Sequence, residues 1–143
     1  MPVIVEFTPE FIPGSIALWR ATDHIGLNDY DDQLDPISRF LERNAGCSFV
    51  ALDQNRVVGA CLCGHDSRRG TIYHLAVDGA YRRDGVARSL VQSALNGLAK
   101  AGVSKCHAHV FIENPNGEAF WAPTGWQLRD DLNMYSAYTP ALR

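Results

Sequence analysis

A change of period between residues 71 and 98 limits this fold more than any other feature. Thr71 to Val77 reads as a strand, and Gly79 to Gly85 is a connection bounded by glycine. Val86, Leu90, Val91, Ala94, Leu95 and Leu98 then recur at helical spacing, ending at Ala101-Gly102. A strand running through a short turn into an amphipathic helix buries the helix stripe on a sheet, so the chain is α/β.

The flanks extend this reading. Val3 to Phe7 alternates as a first strand, and Pro9 to Thr22 is helical with Ile12, Ile16 and Trp19 in phase, irregular at Pro13-Gly14. A polar loop, Gly26 to Asp32, precedes a second helix with Asp35 as its cap and Pro36 at its first position. That helix carries Ile37, Phe40 and Leu41 and ends near Asn44-Ala45-Gly46. Ser48 to Leu52 and Val57 to Cys63 form a hairpin around Asp53-Gln54-Asn55-Arg56, and Asp66 to Gly70 is a further turn. Lys105 to Phe111 is a strand and Asn116 to Trp121 a short helix; Trp126 to Arg129 and Met134 to Thr139 suggest a final hairpin. The expected order is β-α-α-β-β-β-α-β-α-β-β, an α/β (α+β mixed) domain spanning residues 1–143 without a repeat or linker.

At 143 residues the chain suits one domain, and its 46% apolar and 20% charged content is ordinary globular usage. A net charge of −3 argues against a general nucleic-acid binder while leaving room for a local basic pocket. No apolar run is long enough to span a membrane and the first residues lack a basic region and signal core, so a cytoplasmic protein is expected. Cys47, Cys61, Cys63 and Cys106 lie in or beside strands without paired C-x2-C spacing, and they read as small core residues rather than metal ligands. No metal is expected.

The densest functional signal is Val77-Asp78-Gly79-Ala80-Tyr81-Arg82-Arg83-Asp84-Gly85-Val86-Ala87-Arg88-Ser89. The first amides of a helix have no partner within it and its dipole favours negative charge, so this turn suits an anion. Gly85 and Ala87 allow close approach to the main chain, while Arg82, Arg83 and Arg88 supply cationic donors. Neither G-x-x-x-x-G-K-[ST] nor G-x-G-x-x-G occurs, leaving R-x-x-G-x-A at Arg82, Gly85 and Ala87.

That stretch resembles the pyrophosphate loop of the GNAT superfamily of N-acetyltransferases, Q/R-x-x-G-x-G/A after a strand. A second match follows at the family's spacing: Asn114, Phe120, Trp121, Gly125 and Trp126 fit N-x5-F/L-Y/W-x3-G-F/W. The layout of Trp19, Gly26 to Asp29 and Gly64 to Gly70 also resembles small bacterial acetyltransferases of the YpeA type. The resemblance implies a GNAT-type fold: a central mixed, mostly antiparallel sheet flanked by about four helices and splayed between strands ending near Val77 and Phe111. It implies acetyl-CoA as cosubstrate and transfer of its acetyl group to a primary amine of a small molecule or peptide N-terminus. It places pantetheine on the main chain of Leu75, Ala76 and Val77, with pyrophosphate on amides from Arg83 through Asp84, Gly85, Val86, Ala87 and Arg88 to Ser89. Arg82 and Arg83 would approach the phosphates, Asn114 would contact the cofactor at the splay, and Phe120-Trp121 would lie along the pantetheine and thiol. A homodimer is compatible with this layout.

Where many relatives have a tyrosine as acid for the departing thiol, this chain has Trp121, whose indole only donates a hydrogen bond. Tyr135, Tyr138 and Tyr73 are the available replacements, beside a water or no acid at all. Some relatives place a glutamate five residues before the motif asparagine; here that position is His109. His107 shares its face, His74 lies on the cofactor strand, and Glu113 adjoins Asn114. Without a strong carboxylate base, an α-amine of pKa near ~7.7, about a sixth neutral at pH 7, is a better acceptor than lysine near ~10.4. Asp29, Asp31 and Asp32 form an acidic run that reads as solvated surface or as an attractor for a cationic amine. Three readings follow: a direct acetyltransferase, a catalytically silent acyl-CoA sensor or partner subunit, and an interaction protein with a vestigial cleft. A covalent route through Cys61, Cys63 or Cys106 lacks an obvious paired histidine.

Overall fold

The computed structural model describes residues 1–140. They divide into two compact units, Met1–His109 and the chain from Val110 onward. The first unit holds the sheet. Its strands are β1 (Val3–Glu6), β2 (Phe49–Asp53), β3 (Arg56–His65), β4 (Gly70–Val77) and β5 (Cys106–Ala108), in that spatial order. The first three pairings are antiparallel and β4 with β5 is parallel, giving the mixed, mostly antiparallel sheet expected. The helices are α1 (Ile12–Arg20), α2 (Leu34–Arg43), α3 (Val86–Lys100) and, in the second unit, α4 (Pro115–Trp121).

β3 is the central plank. Val58 through Gly64 are all buried, because helices cover both faces of the sheet there. On one face, Ile12, Leu18 and Trp19 of α1 and Ile37 and Leu41 of α2 pack with Val50, Ala60, Leu62 and Ala76. On the other, Leu90 and Val86 of α3 reach Gly59, and Leu98 occupies the space above Gly70. Gly97 lets α3 approach more closely still: a Cβ there would lie 2.1 Å from the Gly46 carbonyl oxygen. Cys47, Cys61 and Cys63 are core residues and Cys106 is half-buried. Burial pushes the Cys61 thiol up, while a hydrogen bond to Cys106 followed by burial does the same for Cys63.

Local chemistry sets several element ends. Gln54 and Asn55 both adopt positive φ, 51° and 66°, the conformation a two-residue hairpin needs to match strand twist. Asp66 Oδ1 accepts from the Arg68 and Arg69 amides at 2.9 and 2.8 Å and closes the next turn. The Pro13 irregularity is a helix start: a 3-10 turn over Pro9–Phe11 leads into α1, with Pro13 at its second position.

Three expectations are corrected. α2 begins at Leu34 with Gln33 as its cap, so Asp35 is within the first turn and Pro36 is third. Pro36 sacrifices no bond there, since amides of the first turn lack intrahelical acceptors. The last strand of the first unit is Cys106–Ala108 rather than residues 105–111, because β5 pairs only with Gly70, Thr71 and Ile72. The final hairpin over 126–129 and 134–139 does not form: neither segment is a strand, and Leu128 and Tyr135 are each 90% exposed. Two short strands with no apolar face buried do not hold a hairpin.

No helix among the described residues is long and apolar enough to cross a membrane.

Candidate active site

Two features of β4 organise the site. The first is its parting from β5. Pairing stops at Ile72 with Ala108, whereas β4 continues to Val77 held only by β3. Tyr73 to Val77 therefore present a main-chain edge that no described strand of the sheet covers. The second is a β-bulge. Ala60 pairs with Ala76 and Leu62 with Tyr73, so His74 and Leu75 together oppose Cys61. His74 absorbs the extra residue at φ 53°.

Past Val77 the chain makes a 3-10 turn, Gly79–Tyr81, capped by Asp78, whose Oδ1 accepts from the Ala80 amide at 2.9 Å. That bond, and Arg56 at 3.3 Å from Oδ2, hold the Asp78 carboxyl below its usual range. The Tyr81 hydroxyl donates to Asp53, and Arg56 lies over the Tyr81 ring at 5.9 Å from its centre. The β2–β3 hairpin thus clamps the turn that precedes α3.

Arg83 and Gly85 then adopt left-handed φ values of 68° and 81°. For Arg83 this is the costly region for a side chain; for Gly85 it is nearly free. The first bond of α3 runs from the Ser89 amide to the Gly85 carbonyl at 3.0 Å. Among the described residues no side chain caps this helix, and the amides of Val86, Ala87 and Arg88 have no acceptor. Arg82, Arg83, Asp84, Arg88 and Ser89 are exposed around them. Arg82 turns back, with Nε donating to the Val77 carbonyl at 3.2 Å.

On the α1–α2 face, Tyr73 meets Phe40 edge-on with centroids 6.0 Å apart, and the His109 ring lies 6.3 Å from Tyr73. Two expected catalytic candidates are therefore neighbours. His109 is exposed just past the end of β5.

The bulge carries a group that sequence reasoning underrated. His74 Nε2 is 2.9 Å from Asp32 Oδ1, and the two side chains are only 16% and 9% exposed. The other Asp32 oxygen accepts from the Asn28 amide at 2.7 Å, and the Asp32 amide returns a bond to the Asn28 carbonyl at 3.0 Å. Asn28 Oδ1 also accepts from the amides of Tyr30 and Asp31. Trp19 packs on the imidazole at 5.1 Å. Asp32 is thus no solvated surface residue, although Asp29 and Asp31 are exposed as that reading expects. The Asn28-x-x-x-Asp32 spacing signals a turn, but nothing in it points to His74.

Trp19 is core at 1% exposure, and its Nε1 finds no partner among the described residues. Burying an indole removes roughly 150–250 Å² from water. At ~25 cal/mol per Å² that contributes about 4–6 kcal/mol, more than the ~1–3 kcal/mol an unpaired donor costs.

In the second unit, Asn114 caps α4, its side chain accepting from the Gly117 amide at 3.0 Å. Phe120 and Trp121 meet edge-on at 4.8 Å, and Trp121 packs on Trp126 at 4.5 Å. Tyr135 and Tyr138 are 90% and 75% exposed, and Glu113 is exposed too.

Residues 15–126 match the model of the acetyltransferase (GNAT) family. The chain belongs to that family. It is 33% identical over 84 residues to N-alpha-acetyltransferase 30 of Schizosaccharomyces pombe, covering 55% of this chain and 56% of that relative. The match thus spans little more than half of the yeast protein's length. It is 30% identical over 99 residues to an acetyltransferase of Pectobacterium atrosepticum, 69% of each chain. The fold is similar to that of an aminoglycoside acetyltransferase from an uncultured soil metagenomic sample, solved with sisomicin (TM-score 0.75, 18% identity, 96% of each chain). It is also similar to an aminoglycoside enzyme solved with a bisubstrate analog joining CoA to monomethyl-acetylneamine (TM-score 0.77, 15% identity, covering 97% and 99%). The GNAT-type fold expected from sequence is therefore present.

Proposed function

We propose that this GNAT protein is an acetyl-CoA-dependent N-acetyltransferase that passes the acetyl group directly to a primary amine of a small molecule or a peptide N-terminus. The observation that carries the reading is the set of free amides at the start of α3, next to the uncovered edge of β4. Those groups fit coenzyme A. Amides of Val86, Ala87 and Arg88 would take the diphosphate with help from helix polarity, and Arg83, Asp84 and Ser89 would frame it. Arg83 and Arg88 would add charge, and the guanidinium of Arg82 would bridge the strand end and the phosphates. The main chain of Leu75, Ala76 and Val77 would pair with the pantetheine arm as a further strand would. The family motif implies a cofactor role for Asn114, Phe120 and Trp121 as well. The family match runs through both units, which supports one acetyltransferase domain.

Bound acetyl-CoA supplies an activated acyl group with a thiol leaving group. The protein's part is to hold the thioester, exclude water and bring a neutral amine to the carbonyl carbon. The raised thiol pKa values of Cys61 and Cys63 disfavour an acyl-cysteine at either of those two residues. The names of the relatives, an aminoglycoside acetyltransferase and an N-alpha-acetyltransferase, support an amine acceptor.

Thiol release from acetyl-CoA against amino acids, polyamines, aminoglycosides and N-terminal peptides tests the reading. Intersecting double-reciprocal lines and turnover with at least one amine are expected. CoA binding without turnover against the whole panel would support the silent sensor instead.

A further inference from the structure

We infer that His74 and Asp32 form a proton-accepting pair for the amine, with His74 taking the proton and Asp32 holding the ring; this rests on the transferase reading above. A carboxylate only accepts, so the 2.9 Å contact from Asp32 fixes the ring proton on Nε2 and leaves the lone pair on Nδ1. Nδ1 has no hydrogen-bond partner among the described residues and is not a buried orphan atom. It is therefore open to a substrate or to one water.

Every support of the ring is itself fixed. Asp32 cannot rotate freely, because its second oxygen is held by the Asn28 amide. Trp19, fully buried, supplies the apolar wall. The bulge brings the ring to the α1–α2 face, and its left-handed backbone costs a non-glycine residue roughly 1–2 kcal/mol. Packing and the Asp32 contact hold it there. His109, by contrast, is exposed and contacts the Tyr73 ring, with no orienting carboxylate among the described residues. A positioned imidazole is the better proton acceptor of the two.

The step balances as follows. One proton leaves the ammonium of the acceptor for Nδ1, giving an imidazolium that Asp32 stabilises, and passes on to solvent. The freed nitrogen lone pair bonds the acetyl carbon as the carbon–sulfur bond breaks. The second N–H proton goes to sulfur, leaving amide and thiol. Among the described residues, Asp32 from the α1–α2 segment hydrogen-bonds the His74 ring and Trp19 from α1, which does not titrate, packs on it. Tyr73 precedes it on β4 and leads on to His109.

The test compares the wild type with His74→Gln and Asp32→Asn across amines of graded pKa, alongside nitrogen NMR of the wild-type imidazole. His74→Gln should lower kcat roughly 10²–10³-fold for an ammonium acceptor, with KM for acetyl-CoA moving less than about twofold. The deficit should shrink as the acceptor's pKa falls, and the pH profile of kcat should change shape, which a merely structural loss would not do. The spectrum of the neutral ring should show Nε2 protonated and Nδ1 bare. An unimpaired His74→Gln enzyme, or a neutral ring carrying its proton on Nδ1, overturns the pair while leaving the transferase reading intact. A wild type that releases no thiol with any amine overturns both. Should His74→Gln fail to fold, the wild-type spectrum alone decides.

Discussion

The two ends of the working stretch of β4 are built differently. After Val77 the chain needs only a dozen consecutive residues to set out the proposed anion site: Asp78 caps a turn, Gly85 turns left-handed, and α3 starts with free amides. At the bulge, His74 depends on Asp32, 42 residues earlier, and on Trp19, earlier still. The first device is local and its chemistry lies mostly in the main chain. The second is made of side chains that meet only after α1, α2 and β4 have packed. On the proposed reading, the first would hold the diphosphate of coenzyme A and the second would meet the acceptor amine.

Substitutions that strike one device and spare the other would sharpen that contrast. The largest effect should come from Gly85→Val. A branched side chain at φ 81° resists the left-handed region, so the turn must change and the amides must re-aim. CoA affinity by calorimetry should fall roughly 10²-fold, or about 2.7 kcal/mol, with the His74 ring spectrum unchanged. Unaltered affinity would place the diphosphate elsewhere.

Asp32→Asn should do the converse. It keeps the shape of the turn but replaces the orienting carboxylate, and kcat should fall roughly tenfold to a hundredfold while CoA affinity holds. A matching loss of CoA affinity would mean that the two devices are one.

Tyr81→Phe removes the bond to Asp53 and loosens the clamp beneath the anion turn. A single hydrogen bond of net worth about 1 kcal/mol corresponds to about a fivefold rise in the CoA dissociation constant, with the amine step untouched at saturating donor.

The smallest effect is in acid. The amides of Arg69 and Arg68 hold Asp66 low, and the Ala80 amide, then Arg56, does so for Asp78. Their folded values lie below the unfolded one of ~3.9, so the stabilisation is full above about pH 5 and drains as pH falls through the folded values. Thermal melts should therefore lose less in Asp78→Asn than in the wild type between about pH 5 and pH 3. Parallel losses would remove Asp78 from the account.

Much of the scaffold was readable before folding. The α3 stripe, the Gln54-Asn55 hairpin and the turn at Asp66 follow from period and turn chemistry acting over a few residues. The misplaced cap at Asp35 is of the same kind, a local signal offset by two positions. The 126–139 hairpin failed for another reason. Alternation and aromatic content mark a segment that could be a strand, but a strand exists only with a partner.

By itself, then, the sequence determined an α/β chain with a glycine turn opening a helix at Arg82 to Ser89, because main-chain polarity and glycine's freedom act between neighbours. Tertiary structure alone decided that Asp32 is buried, that His74 leaves the regular ladder, and that the two meet. A contact between residues so far apart is set by how helices seat on a sheet, and no spacing along the chain encodes that seating.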